Sequence, residues 1–155
     1  MNWEAAGAIG EIIGAAAVVL SLIYLASQIR TQNRETRAAS VHQVLHEYSA
    51  AISRLQEPEM ADIWVAAIED LDSLSESQRL RFVVYLMVAV RSFEDAYFQW
   101  REGRLEENIW RPLLTSLLDV KSTEAFTRFW ELRRHQFRPE FAEYIDSLEA
   151  GKYSF

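Results

Sequence analysis

Apolar residues run almost unbroken from Ala5 to Ala26 before the chain changes to patterns spaced by threes and fours. The first stretch, AAGAIGEIIGAAAVVLSLIYLA, holds one charge, Glu11, and one other strongly polar side chain, Ser21. About 20 apolar residues suffice for a helix to cross the hydrocarbon core of a bilayer. Residues 1–29 are therefore expected to form a transmembrane helix. A secretory signal fits less well, because it calls for a basic start and this chain opens with Asn2, Trp3 and Glu4. A very hydrophobic core helix of a soluble protein is the remaining alternative. Arg30, Arg34 and Arg37 follow against one acid, Glu35. By the positive-inside rule the N-terminus then faces out and the bulk of the chain faces the cytoplasm. Trp3 and Tyr24 fall where interfacial aromatics are favoured.

Winding the segment at about 100° per residue sorts it into two faces. Gly7, Gly10, Gly14, Ala17, Ser21 and Gln28 form a stripe of small and polar positions, while Ile9, Ile12, Ile13, Leu20 and Ile23 crowd the opposite side. Inside a bilayer, apolar burial gives helices no net drive to associate, so close packing over small residues must supply it. One such segment per chain implies partners from other copies, and a homo-oligomer assembled through this helix is expected. The three-and-four spacing suits a left-handed bundle. Glu11 borders the small stripe, and three readings of it stand open: an interfacial acid that reaches water, a protonated acid that bonds helices together, or one member of an acidic ring lining a cation or proton path. No Lys or Arg within the segment neutralises it.

Beyond the membrane the helical pattern continues to Pro58, with Ala38, Val41, Leu45, Tyr48, Ile52 and Leu55 proposing a buried face. Residues 30–57 are expected to form a stalk helix and residues 58–155 a compact helical domain. A helix starts near Pro58. SLSESQRL carries capping-box spacing twice, Ser73 to Glu76 and Ser75 to Gln78. It opens the strongest helix, whose centre FVVYLMVAV is apolar all round and is expected to be the buried central element. Gly103 stops that helix. Three more are expected: Glu106 to Val120, Thr123 to about Phe137, and Pro139 to Ala150. No strand pattern or repeat interrupts them, so the fold class is all-α.

Composition narrows the chemistry. A net charge of −7 argues against nucleic acid as a partner, since phosphate binding needs clustered basic residues in excess. The absence of cysteine excludes disulfides, thiolate metal sites and a cysteine nucleophile. His42 and His46 share a helix face and are candidate metal ligands, with Glu94 or Asp95 as further donors, but no HExxH or paired Glu-x-x-His motif completes a site. Surface histidines are the plainer reading, and no cofactor is expected. Glu94 and Asp95 supply either a perturbed acid in a cleft or a buried carboxylate bonded to an arginine or a Tyr hydroxyl that fixes helix register, and the second is preferred. Arg133, Arg134, His135 and Arg138 are expected to meet internal acids rather than lipid headgroups. Phe126, Phe129, Trp130, Phe137 and Phe141 are expected in the core. No phosphate loop, nucleophile elbow or triad order argues for an enzyme.

Three stretches, WEAAGAIGEIIGAAAVVLSLIYLASQIR, RSFEDAYFQWREGRLEENIW and RFWELRRHQFRPEFAEYI, resemble a group of uncharacterised bacterial single-pass membrane proteins of similar length. FEDAYFQW stands where FENAYFQY is expected. The resemblance implies a bacterial origin, an N-terminal membrane helix and a helical cytoplasmic domain, and it transfers no activity. The combined expectation is a homo-oligomer in the bacterial inner membrane whose transmembrane bundle forms a cation or proton pathway at Glu11, Ser21 and Gln28. The alternative is a membrane-anchored cytoplasmic module that binds an unidentified protein partner and transports nothing.

Overall fold

The computed structural model describes residues 3–153, apart from the side chains of 3–6, 8–10 and 12. The expected places of Trp3, Ile9, Gly10 and Ile12 on the first helix lie outside those described side chains. Six α-helices make up the described chain: α1 (Trp3–Leu55), α2 (Pro58–Glu69), α3 (Glu76–Arg101), α4 (Glu107–Lys121), α5 (Glu124–Arg133) and α6 (Pro139–Ser147). Short 3₁₀ turns at Leu71–Ser73 and Arg134–Gln136 complete the path, and no strand occurs among the described residues. The chain is all-α, a long apolar N-terminal helix followed by a helical bundle. It divides into two compact units, Met1–Ala39 and Ser40–Phe155.

In the first unit every described side chain from Ile13 to Ala39 is exposed. The large apolar ones are the informative cases: Leu20 is 67% exposed and Ile13 63%. The described part of α1, Ile13–Leu55, contains an 18-residue window of mean hydropathy 1.6, none of it buried. It is thus long and apolar enough to cross a membrane.

The second unit starts at Ser40, and the end of α1 belongs to it. The buried stripe there differs from the expected one. Val44 is buried, and Val41, Tyr48, Ala51 and Leu55 pack against the core, whereas Leu45 and Ile52 stay exposed and Ala38 falls in the other unit. Alternating steps of three and four can be drawn through either set of positions, and only the neighbouring helices decide between them. Tyr85 of α3 donates its hydroxyl to the Ala51 carbonyl at 3.4 Å, joining the two helices. Burial, with Tyr48 nearby, pushes the Tyr85 hydroxyl up to about 12, so it remains a neutral donor.

Local signals fix the helix ends. Ser75 and Gln78 form a reciprocal capping box at the start of α3, while the overlapping Ser73–Glu76 pair does not, because Ser73 is already in the 3₁₀ turn. Gly103 supplies the left-handed residue, φ 71°, just past α3. Thr123 caps α5 by accepting from the Phe126 N–H. Then α5 ends at Arg133, four residues earlier than the pattern suggests, and tightens into the 3₁₀ turn. Prolines open α2 and α6. Pro112 sits inside α4, against the usual rule for helix interiors.

Aromatic side chains fill the centre. Phe82, Trp110, Phe126, Phe129 and Phe141 are almost wholly buried, each side chain contributing on the order of 2–3 kcal/mol of transfer energy. Phe126, Phe129, Trp130, Phe137 and Phe141 are mutual neighbours in this core, as their helical spacing suggests. Trp100 and Trp110 stack at 5.6 Å, tying α3 to α4. The centre of α3 departs from expectation. Phe82, Tyr85, Leu86, Ala89 and Val90 are buried, yet Leu80, Val84 and Val88 lie exposed on one face.

Candidate functional site

In the first unit the polar positions are settled largely within their own helix. Ser21 Oγ donates to the Ala17 carbonyl at 2.8 Å, which lets a hydroxyl sit among apolar residues without a partner helix. Gln28 Nε2 donates to the Tyr24 hydroxyl at 2.7 Å. Glu11 is exposed and has no ion pair among the described residues. A Cβ added at Gly7 or Gly14 would meet nothing within 4 Å. Those glycines therefore serve no contact inside the chain, and the small stripe, with Ala17, is open along its described length.

The second unit carries the charged features. Glu94 on α3 is buried, with its side chain 5% exposed. Its Oε2 accepts from Arg91 Nη1 at 2.5 Å and its Oε1 from the Arg138 backbone N–H at 2.6 Å. Arg138 is the N-cap of α6, so a single carboxylate pins the start of α6 to α3. Arg91 extends the tie by donating Nη2 to the Gln136 carbonyl at 2.9 Å, and its guanidinium lies 4.8 Å from the Phe137 ring centre. The carboxylate thus fixes register between elements. Asp95, one residue on, accepts from Gln99 Nε2 at 2.6 Å.

The basic cluster disperses. Arg134 binds Asp146 at 2.7 Å, Arg138 lays its guanidinium 4.3 Å from the Phe98 ring centre, and the side chains of Arg133 and His135 make neither an ion pair nor a hydrogen bond among the described residues. Burial alone raises the Asp146 carboxyl, but hydrogen bonds from Trp130 Nε1 and Arg134 outweigh it and hold the group below the usual carboxylate range. His42 and His46 are both exposed. Among the described residues no group of three or more His, Asp or Glu side chains gathers as a metal would require. The expected arginine partner of the Glu94 carboxylate is Arg91, which sequence reasoning did not single out although its i, i+3 spacing to Glu94 was the available signal.

A cleft of about 610 Å³ opens between the last turns of α1 and the middle of α3. Glu47 and Arg54 border it on α1, Met87, Arg91 and Asp95 on α3, and Arg138 closes one end. A smaller cleft of about 450 Å³ lies beside Leu80 and Val84 and shares Arg54. The pairing of arginines, carboxylates and apolar walls suits binding. No family model matches the sequence, and no curated protein or solved structure shows significant similarity to it.

Proposed function

We propose that this chain is a membrane-anchored helical binding module. In this reading α1 crosses the bacterial inner membrane once, with the N-terminus outside, and the Ser40–Phe155 unit works in the cytoplasm. The observation that carries it is the uninterrupted exposure of large apolar side chains from Ile13 to Ile29. Such a surface is stable in lipid and a liability in water. The dispersed charges and the open clefts of the second unit support binding rather than chemistry. Membrane fractionation tests the anchor. Leu20→Arg places a charge at mid-span at a cost of about 3 kcal/mol, and it is expected to move much of the protein from an alkali-resistant membrane fraction into the soluble or degraded pool. Unchanged membrane retention refutes the span.

A second reading rests on Glu11. In a homo-oligomer packed over Gly7, Gly14 and Ala17, one carboxylate per copy forms an acidic ring and the bundle carries cations or protons. The unpaired, exposed carboxylate beside small residues favours it. Ser21 contributes less, since its hydroxyl is already satisfied within the helix. Liposome flux decides: conduction lost in Glu11→Gln supports the pathway, and no flux, or equal flux from both, removes it.

A further inference from the structure

We infer that the larger cleft, between the end of α1 and α3, binds a short apolar peptide with free termini, its carboxylate at Arg54 and its ammonium at Glu47 and Asp95. The proposal names a ligand class for the binding reading above and rests on that reading. The two helices run antiparallel along the cleft. Tyr48 meets Phe93 at 6.0 Å between ring centres, and one turn further along α1 the Ala51 carbonyl accepts from Tyr85. Low numbers on α1 therefore face high numbers on α3, which places Glu47 at the same end as Asp95 and Arg54 at the other. Ala50, Met87 and Val88 line the stretch between and give it an apolar wall.

The charges at the two ends lack partners of their own. Among the described side chains of the second unit four carboxylates are withdrawn from full exposure, Glu47, Glu94, Asp95 and Asp119, and three of them line this cleft. Glu94 is answered by Arg91. Glu47 and Asp95 make no ion pair among the described residues; each accepts one bond from a glutamine of its own helix, Gln43 and Gln99, and keeps its second oxygen open. A half-buried carboxylate with only neutral donors beside it draws a cation. Arg138, at the same end, lies against the Phe98 ring and pairs with neither acid. Two guanidiniums thus face three carboxylates there, and the end is net negative. Arg54 is exposed, and its side chain makes neither an ion pair nor a hydrogen bond among the described residues. Glu57, one turn on, lines the smaller cleft and does not pair with it. A cleft negative at one end, positive at the other and apolar between selects its ligand by sign. An amphipathic anion leaves Glu47 and Asp95 unanswered, and an amphipathic cation leaves Arg54 so. Glu47 and Arg54 stand two turns apart, about 10 Å along the helix axis, the length of roughly three extended residues. A single amino acid is too short. Three apolar residues ending in a free ammonium and a free carboxylate match the cleft in sign, spacing and polarity, within a volume typical of ligand sites.

Calorimetric titration of the purified full-length protein in mild detergent with the tripeptide Ala-Leu-Ala tests the site, with detergent alone as the blank. Two temperatures are used, so that a vanishing heat at one does not hide binding. The free tripeptide is expected to bind with a Kd below about 1 mM. N-acetylation and C-amidation are each expected to weaken it at least about tenfold, since each removes a charge that the cleft answers. These arms use the parent protein and depend on no variant's folding. In Arg54→Gln the amidated and free peptides are expected to bind alike; in Glu47→Gln with Asp95→Asn the acetylated and free peptides are. Arg133→Gln, outside the cleft, is expected to bind as the parent does. Dichroism matching the parent confirms that each variant is folded. No saturable binding up to about 10 mM peptide overturns the site. Equal binding of the acetylated and free peptides by the parent overturns it in favour of an amphipathic anion, and equal binding of the amidated and free peptides in favour of a cation. A terminal preference that survives removal of its assigned side chains refutes the stated ends. Retention in the membrane fraction without peptide binding overturns the site alone, whereas peptide binding without retention upholds the site and removes the anchor.

Discussion

Removing the Glu94 carboxylate tests whether one buried acid holds α6 against α3. Two hydrogen bonds converge on it, from Arg91 Nη1 at 2.5 Å and from the Arg138 N–H at 2.6 Å. In Glu94→Ala the Arg138 N–H, at the N-cap of α6, loses its acceptor, a loss of about 1–3 kcal/mol for a donor that is not rehydrated. Arg91 is 49% exposed, so water partly replaces its lost partner and that half of the network contributes on the order of 1 kcal/mol. The sum is about 3 kcal/mol, corresponding to a fall of roughly 10 °C in Tm for a unit of this size. Glu94→Gln keeps an oxygen acceptor at the same reach and should lose only about 1 kcal/mol. Urea unfolding of the full-length protein in detergent, followed by tryptophan fluorescence, measures both, since four of the five tryptophans lie in the second unit. Combining Glu94→Ala with Arg91→Met then isolates the pair, and the double variant should be less destabilised than the two singles summed. Glu94→Ala within about 0.5 kcal/mol of the parent would refute the clamp. A Gln variant as damaged as the Ala variant would refute the hydrogen-bond account and leave charge as the cause.

Two further outcomes follow from close contacts in the same unit. Gly151 donates its N–H to the Leu118 carbonyl at 2.8 Å, and a Cβ there would overlap Asp119 Oδ1 and lie 3.0 Å from the Asp119 backbone nitrogen. Gly151→Ala is therefore expected to destabilise by about 1–2 kcal/mol, read by the same unfolding assay, and only part of the loss should return with Asp119→Ala. Asp146 has a depressed pKa in the fold, so its contribution is present above the unfolded carboxyl value and disappears as pH falls through the folded one. With that side chain 41% exposed, the parent should exceed Asp146→Asn by no more than about 1 kcal/mol near neutrality. That gap should close as pH drops below about 4 in a pH series of melts.

Helix content, most helix ends and the long apolar N-terminal helix were legible in the chain because local chemistry sets them. Pro58, Ser75, Gly103, Thr123 and Pro139 each act on backbone groups within a few residues. Faces were harder to read. Val44 rather than Leu45 enters the core, since the choice rests on where α3 and α4 lie and not on spacing within α1. Phe82 to Val90 reads as uniformly apolar, so nothing in it distinguishes Phe82, buried, from Val84, exposed. Glu94 was recognisable as an acid placed where an apolar run ends. Its second ligand was not, because a backbone N–H from Arg138, 44 residues away, leaves no trace in composition or pattern.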